Sequence, residues 1–340
     1  MRVFITGATG YIGGQILHTL TLQHPSAAVY ALVRDATKGE FLKKKYAQVT
    51  LVIGDLDASD LIKDEASRAD VVINAANNKH IASVESVAAG FQASSRNKPG
   101  YLLQISGASV LSAKDITDKT FGEPSKKQYN DLEGSKEVLD LIANTSSRAL
   151  DRAVLELNRK HSGKVNTALI FAPLIYGQGQ GAGHTESVQL PSLCKFAIEK
   201  KRSYYVGKGE ATWGNVHIAD VGNLFASLAD AAVNGKDTNK LWNDDGLYFT
   251  QTDELSWKSI AEKLADASQQ KGVAAPTASL STSEIEDIFP AGSILLGTNA
   301  RGRSDRGAEL LGFKATQHSL ADEIPLTFLR ILNANQTSKI

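Results

Sequence analysis

Residues 6–13 read Thr6-Gly7-Ala8-Thr9-Gly10-Tyr11-Ile12-Gly13, and this stretch decides the fold. The short β-branched run Arg2–Thr6 leads into it, and a helical pattern from Tyr11 to Leu22 follows it. A strand, a glycine turn and a helix in that order receive a diphosphate. Gly7 makes the tight turn, Gly10 lets the backbone approach the pyrophosphate, and Gly13 lets helix pack on strand. The first N–H groups of the helix and the positive end of its dipole then face the anion. Thr9, Tyr11 and Ile12 complete the contacts expected of this turn.

Further along, Ala28–Val33, Val49–Ile53, Val71–Asn74, Tyr101–Ser106 and Val165–Phe171 are β-branched runs separated by helix-like stretches, of which Ser146–His161 is the clearest. The alternation predicts an α/β fold, a doubly wound parallel sheet of Rossmann type with a smaller C-terminal substrate lobe. After Pro173, the glycines at 177, 179, 181 and 183 mark a loop, and Leu190–Lys200 reads as a helix. A return to the main sheet is expected at Trp213–His217, with a helix from Asp220 to about Val233. Residues 1–178, rejoined by 213–235, are thus assigned to the dinucleotide domain, and 179–212 with 236–340 to the lobe.

The second strand ends in Val33-Arg34-Asp35. Arg34 stands where an acidic residue would take a ribose 2′-hydroxyl, and its guanidinium suits a 2′-phosphate, so NADP is the expected cofactor. Lys38 adds a second cation. The alternative leaves Arg34 in solvent and gives the ribose to Asp35, making NAD the cofactor. Asp55 and Leu56, after the third strand, suit the adenine amino group and ring; Ala75 and Ala76, after the fourth, leave room for the ribose and diphosphate.

Lys plus Arg equals Asp plus Glu at 37 each, which argues against a partner held by bulk positive potential, such as nucleic acid. The one cysteine, Cys194, excludes an intrachain disulfide and fits a reducing compartment. No run approaches the ~18 apolar residues of a membrane span, and the N-terminal apolar run is too short for a signal peptide. A cytoplasmic protein is therefore expected, with the sequons at Asn144 and Asn335 as chance matches. No His/Cys cluster has metal-ligand spacing, so no catalytic metal is expected.

With these residues in view, the chain resembles the extended and atypical short-chain dehydrogenase/reductases, the epimerase/dehydratase-like group. The resemblance covers almost the whole length. The segment Ala172-Pro173-Leu174-Ile175-Tyr176-Gly177, the segment from Val216 to Val221 and the stretch Asp305–Phe313 all fit it. Arg34 inclines it towards the NADP-binding branch that includes NmrA-like regulators. The resemblance implies that Ala172, Pro173 and Ile175 lie beside the cofactor and that Tyr176 lines the substrate cleft.

The resemblance also implies a tyrosine acid, a lysine four residues later and a serine. Counting back from Ala172-Pro173 puts Asn144 in the tyrosine's place and Arg148 in the lysine's. Both are expected to face the nicotinamide half of the cofactor without transferring a proton. The family serine falls near Gly107, leaving Ser106 or Ser109 to replace it. Tyr129 is followed four residues on by Glu133 rather than lysine.

Tyr176 and His184 are the candidate replacement acids. The loop 177–183 is expected to be a mobile lid that turns His184 inward; a rigid glycine turn joining the two lobes is the competing reading. Two functions stay open. One is an NADP-dependent reductase of a small apolar carbonyl or enone, acting as monomer or homodimer. The other is a non-redox isomerase, cyclase or NADP-sensing regulator.

Overall fold

The computed structural model describes residues 1–161, 163–235 and 240–337. Parts of the expected lobe, 236–239 and 338–340, lie outside the described residues. Seven parallel strands form the central sheet: β1 (Arg2–Thr6), β2 (Ala28–Val33), β3 (Val49–Ile53), β4 (Val71–Asn74), β5 (Gly100–Gly107), β6 (Val165–Ala172) and β7 (Leu247–Phe249). Their order across the sheet is β7-β6-β5-β4-β1-β2-β3. The order reverses between β1 and β4, the place where a doubly wound sheet opens a ligand crevice beyond its strand ends.

Successive side chains of a strand point to opposite faces, and here both faces are covered. In β1, Val3 and Ile5 enter one core with Ile16, Leu17 and Leu20 of α1 (Tyr11–Gln23). Phe4 enters the other, with Ile62 of α3 (Ser59–Arg68) and Val84, Val87 and Phe91 of α4 (Ile81–Ala93). Burying each large apolar side chain contributes roughly 1.5–3 kcal/mol, so β1 is tied to both layers. The glycine loop leaves this strand. At its end Thr6 Oγ1 donates to Asn74 Oδ1 (2.6 Å), and Asn74 Nδ2 donates to Gln104 Oε1 (2.9 Å), joining β1, β4 and β5 beneath the crevice.

The expected return to the main sheet differs in detail. Thr212–His217 pairs in parallel with Leu174–Tyr176 and antiparallel with Asp253–Ser256, in a separate three-stranded sheet. The seventh strand of the main sheet is β7, beyond Leu241, where the sequence predicts the lobe. Burial and alternation mark a strand but do not say which sheet it joins; three residues, Leu247-Tyr248-Phe249, are too few to show a period. Ile218–Asn234 does return as a helix, with Leu224 and Phe225 in the same core as Ile16 and Leu17.

The stretch read as one helix from Ser146 to His161 begins with a short 3₁₀ turn, Ser146–Arg148, and becomes α-helical only over Ala149–Lys160. A separate helix, α5 (Ser135–Asn144), precedes it.

Candidate functional site

The glycine loop is held in a conformation that only small residues allow. Gly7 has φ +77°, and a Cβ there would lie 2.6 Å from the Ala75 carbonyl at the end of β4. A Cβ on Gly13 would lie 2.3 Å from the Gly7 oxygen. Gly10 is the N-cap of α1 and brings no capping side chain, so the first N–H groups of the helix stay open to an anion.

Around this loop lies a cavity of about 360 Å³, lined by Gly7, Thr9, Gly10, Arg34, Asp55, Leu56, Ala75, Ala76 and Asn77 among others. A second cavity of about 360 Å³ is lined by Ile12, Ile105, Ser106, Gly107, Ala172 and Ile175, and it shares Ala75, Ala76 and Asn77 with the first. One groove therefore runs from the end of β2, across the β1–β4 switch point, to the ends of β5 and β6. Its free helix start, missing Cβ atoms and cationic rim fit a dinucleotide. Pro173 is buried behind it, where the chain passes from β6 to Leu174–Tyr176.

At the rim Asp35 caps α2 (Ala36–Lys45), accepting the Lys38 N–H at 2.7 Å. Lys38 Nζ lies 3.6 Å from the same carboxylate. Arg34 is exposed and makes no ion pair or hydrogen bond within the described chain.

At the other end, Arg148 and Asp151 are buried behind Ser106 and Gly107. Asp151 comes from α6 (Ala149–Lys160), the α-helical part of the expected helix. Ser106 Oγ donates to Asp151 Oδ2 (3.0 Å), and Arg148 Nη1 lies 3.7 Å from that oxygen. Arg148 Nη2 donates to Ser109 Oγ (2.6 Å), while its buried Nε has no partner. Burial pushes the Asp151 carboxyl above the usual range, against the lowering effects of Arg148, Ser106 and Arg152. Asp151 carries no signal in the sequence. A carboxylate three residues after Arg148 carries no motif, and only the packing of α6 on β6, the neighbour of β5 in the sheet, brings it to Ser106.

Asn144 departs from expectation. It is exposed at the C-terminal end of Ser135–Asn144, and its amide donates to the Asp140 carbonyl of its own helix at 2.8 Å. It lines neither cavity of the groove. The helix break at Thr145 separates it from Arg148, so the two do not share one helical face as the Tyr-x-x-x-Lys spacing requires.

The two proposed acids are also placed differently from the reading. Tyr176 is only 2% exposed, its hydroxyl donates to the His318 carbonyl (2.7 Å), and its ring meets the His217 ring edge-on. Burial and the Asp220 charge push its phenol further up, away from an acid's working range. His217 itself caps the following helix, accepting the Ala219 N–H. The His184 imidazole is exposed.

The loop 177–183 is strapped to α1, to the end of α2 and to the glycine turn. Tyr11 Oη donates to the Gly177 carbonyl (2.6 Å), Gln180 N to Gln15 Oε1 (2.8 Å), and Lys45 Nζ to the Gln180 carbonyl (2.7 Å). The His184 N–H donates to the Thr9 carbonyl at 3.0 Å. A Cβ on Gly183 would sit 2.1 Å from that carbonyl, and one on Gly181 2.9 Å from Gly14. These glycines permit close backbone approach, as the rigid-turn alternative requires. Among the described residues no His, Cys, Asp or Glu cluster could hold a metal ion, and no helix is long and apolar enough to cross a membrane.

Fold and groove together define a nucleotide-binding α/β protein of doubly wound topology. A model of the NAD dependent epimerase/dehydratase family matches residues 3–243. The chain belongs to that family, among the extended short-chain dehydrogenase/reductases. It is 30% identical to "Oxidase ucsJ" from Acremonium sp. over 331 residues, 95% of each chain. Its fold is similar to that of DesIV, a dTDP-glucose 4,6-dehydratase from Streptomyces venezuelae (TM-score 0.68, 15% identity, covering 99% of this chain and 98% of that one). It is also similar to UDP-glucuronic acid 4-epimerase from Bacillus cereus (TM-score 0.64, 16% identity, covering 98% of this chain and 100% of that one). Both were solved with NAD bound.

Proposed function

We propose that the protein is an NADP(H)-dependent oxidoreductase that interconverts an alcohol and a carbonyl, or reduces an enone, on a small, largely apolar molecule. The observation that carries this reading is the single groove from the unpaired Arg34 guanidinium to the Ser106–Gly107 strand end. Arg34 would hold the 2′-phosphate, and the commitment of Asp35 to its helix cap argues against its serving a ribose hydroxyl. Gly7, Thr9, Gly10 and the start of α1 would hold the diphosphate, with Asp55 and Leu56 at the adenine. Ala75, Ala76, Ile12, Ala172 and Ile175 would enclose the ribose and nicotinamide. When bound, the cofactor supplies or accepts a hydride; the chain supplies orientation and a dry apolar wall.

The name oxidase on a relative of equal length supports redox chemistry over a sensing role. The displacement of Asn144 favours a second reading, a non-redox isomerase, cyclase or NADP-sensing regulator. Following nicotinamide absorbance with NADPH and a panel of aldehydes, ketones and enones, alongside binding measured by fluorescence, separates the two. Turnover of any panel member supports the first; tight binding without turnover across the panel supports the second.

A further inference from the structure

The groove lacks the family's tyrosine in its usual place, yet Ser106 lines it at the end of β5 and Ser109 follows in the 3₁₀ turn Ala108–Ser112, each hydroxyl backed by a different charge. Ser106 donates to Asp151, so what it has left to offer the groove it lines is its lone pairs. Ser109 accepts from Arg148, which leaves its own O–H free to donate. Between them Gly107 has no side chain. A Cβ there would meet nothing nearer than Ser109 Oγ at 3.7 Å and Arg148 Nη1 at 4.0 Å. One open position is therefore flanked by one acceptor and one donor, the pair that a substrate hydroxyl needs to give up its proton while its oxygen is held.

We propose that Ser106 and Asp151 form the proton path of the reaction, with Ser106 as the catalytic residue and Asp151 acting through it. The inference rests on the oxidoreductase reading. In alcohol oxidation the O–H proton passes to Ser106 Oγ while the Ser106 proton passes to Asp151 Oδ2. The C–H bond breaks with its electron pair leaving to the oxidised nicotinamide, and the C=O bond forms. Ser106 ends as a hydroxyl and Asp151 as a carboxylic acid; carbonyl reduction runs the same transfers backwards.

Arg148 stabilises the ionised Asp151 from 3.7 Å, beyond hydrogen-bond reach. Through Ser109 it also holds the substrate oxygen, an arrangement that strengthens as negative charge develops there. Arg152, on the same helix, is the other cation that acts on Asp151. Burial raises the proton affinity of the carboxyl, as an acceptor of this kind requires.

The test uses the full chain and the variants Ser106→Ala and Asp151→Asn. NADPH binding is measured first by fluorescence, and a wild type that binds none overturns the oxidoreductase reading and the relay with it. Next, the carboxylic-acid C=O stretch is followed by infrared spectroscopy in the NADP⁺-loaded protein as pH is varied. The relay predicts a titrating band that Asp151→Asn abolishes and Ser106→Ala shifts to higher pH, because the carboxylate loses a donor. Asp151→Asn leaves Arg148 uncompensated and risks misfolding; Ser106→Ala keeps the ion pair and carries the test alone if needed.

With NADPH and 9,10-phenanthrenequinone as probe, Ser106→Ala should lower kcat on the order of 10²-fold or more. Its affinity for NADPH should be unchanged, and the pH limb of kcat should follow the infrared midpoint. A band indifferent to Ser106→Ala, or a Ser106→Ala variant that turns the probe over at the wild-type rate, overturns the relay while leaving the cofactor reading intact. The infrared result needs no turnover, so a band indifferent to Ser106→Ala overturns the relay even if the quinone is not accepted; the kcat test then uses the first aldehyde, ketone or enone that is turned over.

Discussion

The Asp35 carboxylate accepts the backbone N–H of Lys38 at 2.7 Å, capping α2, and the residue before it, Arg34, is left unpaired on the wall of the groove. The acid that would mark an NAD enzyme already has a partner, and the cation that would mark an NADP enzyme has none. Replacing Arg34 with alanine should weaken NADP binding by ~1.5–3 kcal/mol, roughly 10- to 150-fold, and leave NAD binding nearly unchanged. Titrating both cofactors against both proteins checks this; a wild type with equal affinity for NAD and NADP would refute it.

The strap over α1 should behave as a fixed element. Hydrogen exchange of residues 177–184 is expected to be slow with and without NADPH, because Tyr11, Gln15 and Lys45 hold the segment in place. Gly183→Ala would drive a methyl into the Thr9 carbonyl. It should cost about 1–3 kcal/mol of stability and weaken cofactor binding through the displaced loop. Fast exchange without ligand would restore the lid.

Tyr176→Phe separates packing from catalysis. The hydroxyl is spent on the His318 carbonyl, so its removal leaves that carbonyl short of a donor and should cost about 1–2 kcal/mol in urea unfolding. Turnover with any substrate found in the panel should stay at the wild-type level. A large fall in kcat with stability unchanged would make Tyr176 the acid after all.

Asp131 gives the fold a pH dependence of its own. Its two oxygens accept the N–H groups of Phe249 and Arg306 at 2.8 Å each, yet burial pushes the carboxyl up to about 7. Between its ordinary unfolded range, about 4, and pH 7 the native state holds the extra proton. The stabilisation from this group is complete below that range and is lost as pH rises through about 7. Thermal midpoints of wild type and Asp131→Asn across this window should show wild type losing ground to the variant as pH rises. Parallel curves would contradict the assignment.

Much of this protein was written locally. The turn from Gly7 to Gly13, the first six strands and Arg34 at the end of β2 follow from alternation, helical period and glycine's access to positive φ. These are properties of a few neighbouring residues, and they survive whatever the rest of the chain does. Tertiary structure decided what each side chain meets.

Tyr176 looks free until residue 318 lies beside it, and the glycine-rich segment after it looks mobile until Gly179 and Gly181 close on α1 and Gly183 on the Thr9 carbonyl. Asn144 and Arg148 look like one motif until a helix break sets them apart, and Asp151 has no signal until α6 packs on β6 and brings it to Ser106. Thr212–His217 shows the same limit, since its pattern marks a strand but the choice of neighbour belongs to residues far along the chain. A side chain's chemistry depends on its burial and on the groups within a few ångströms. Those groups are brought together by packing between elements, whose partners no local period encodes.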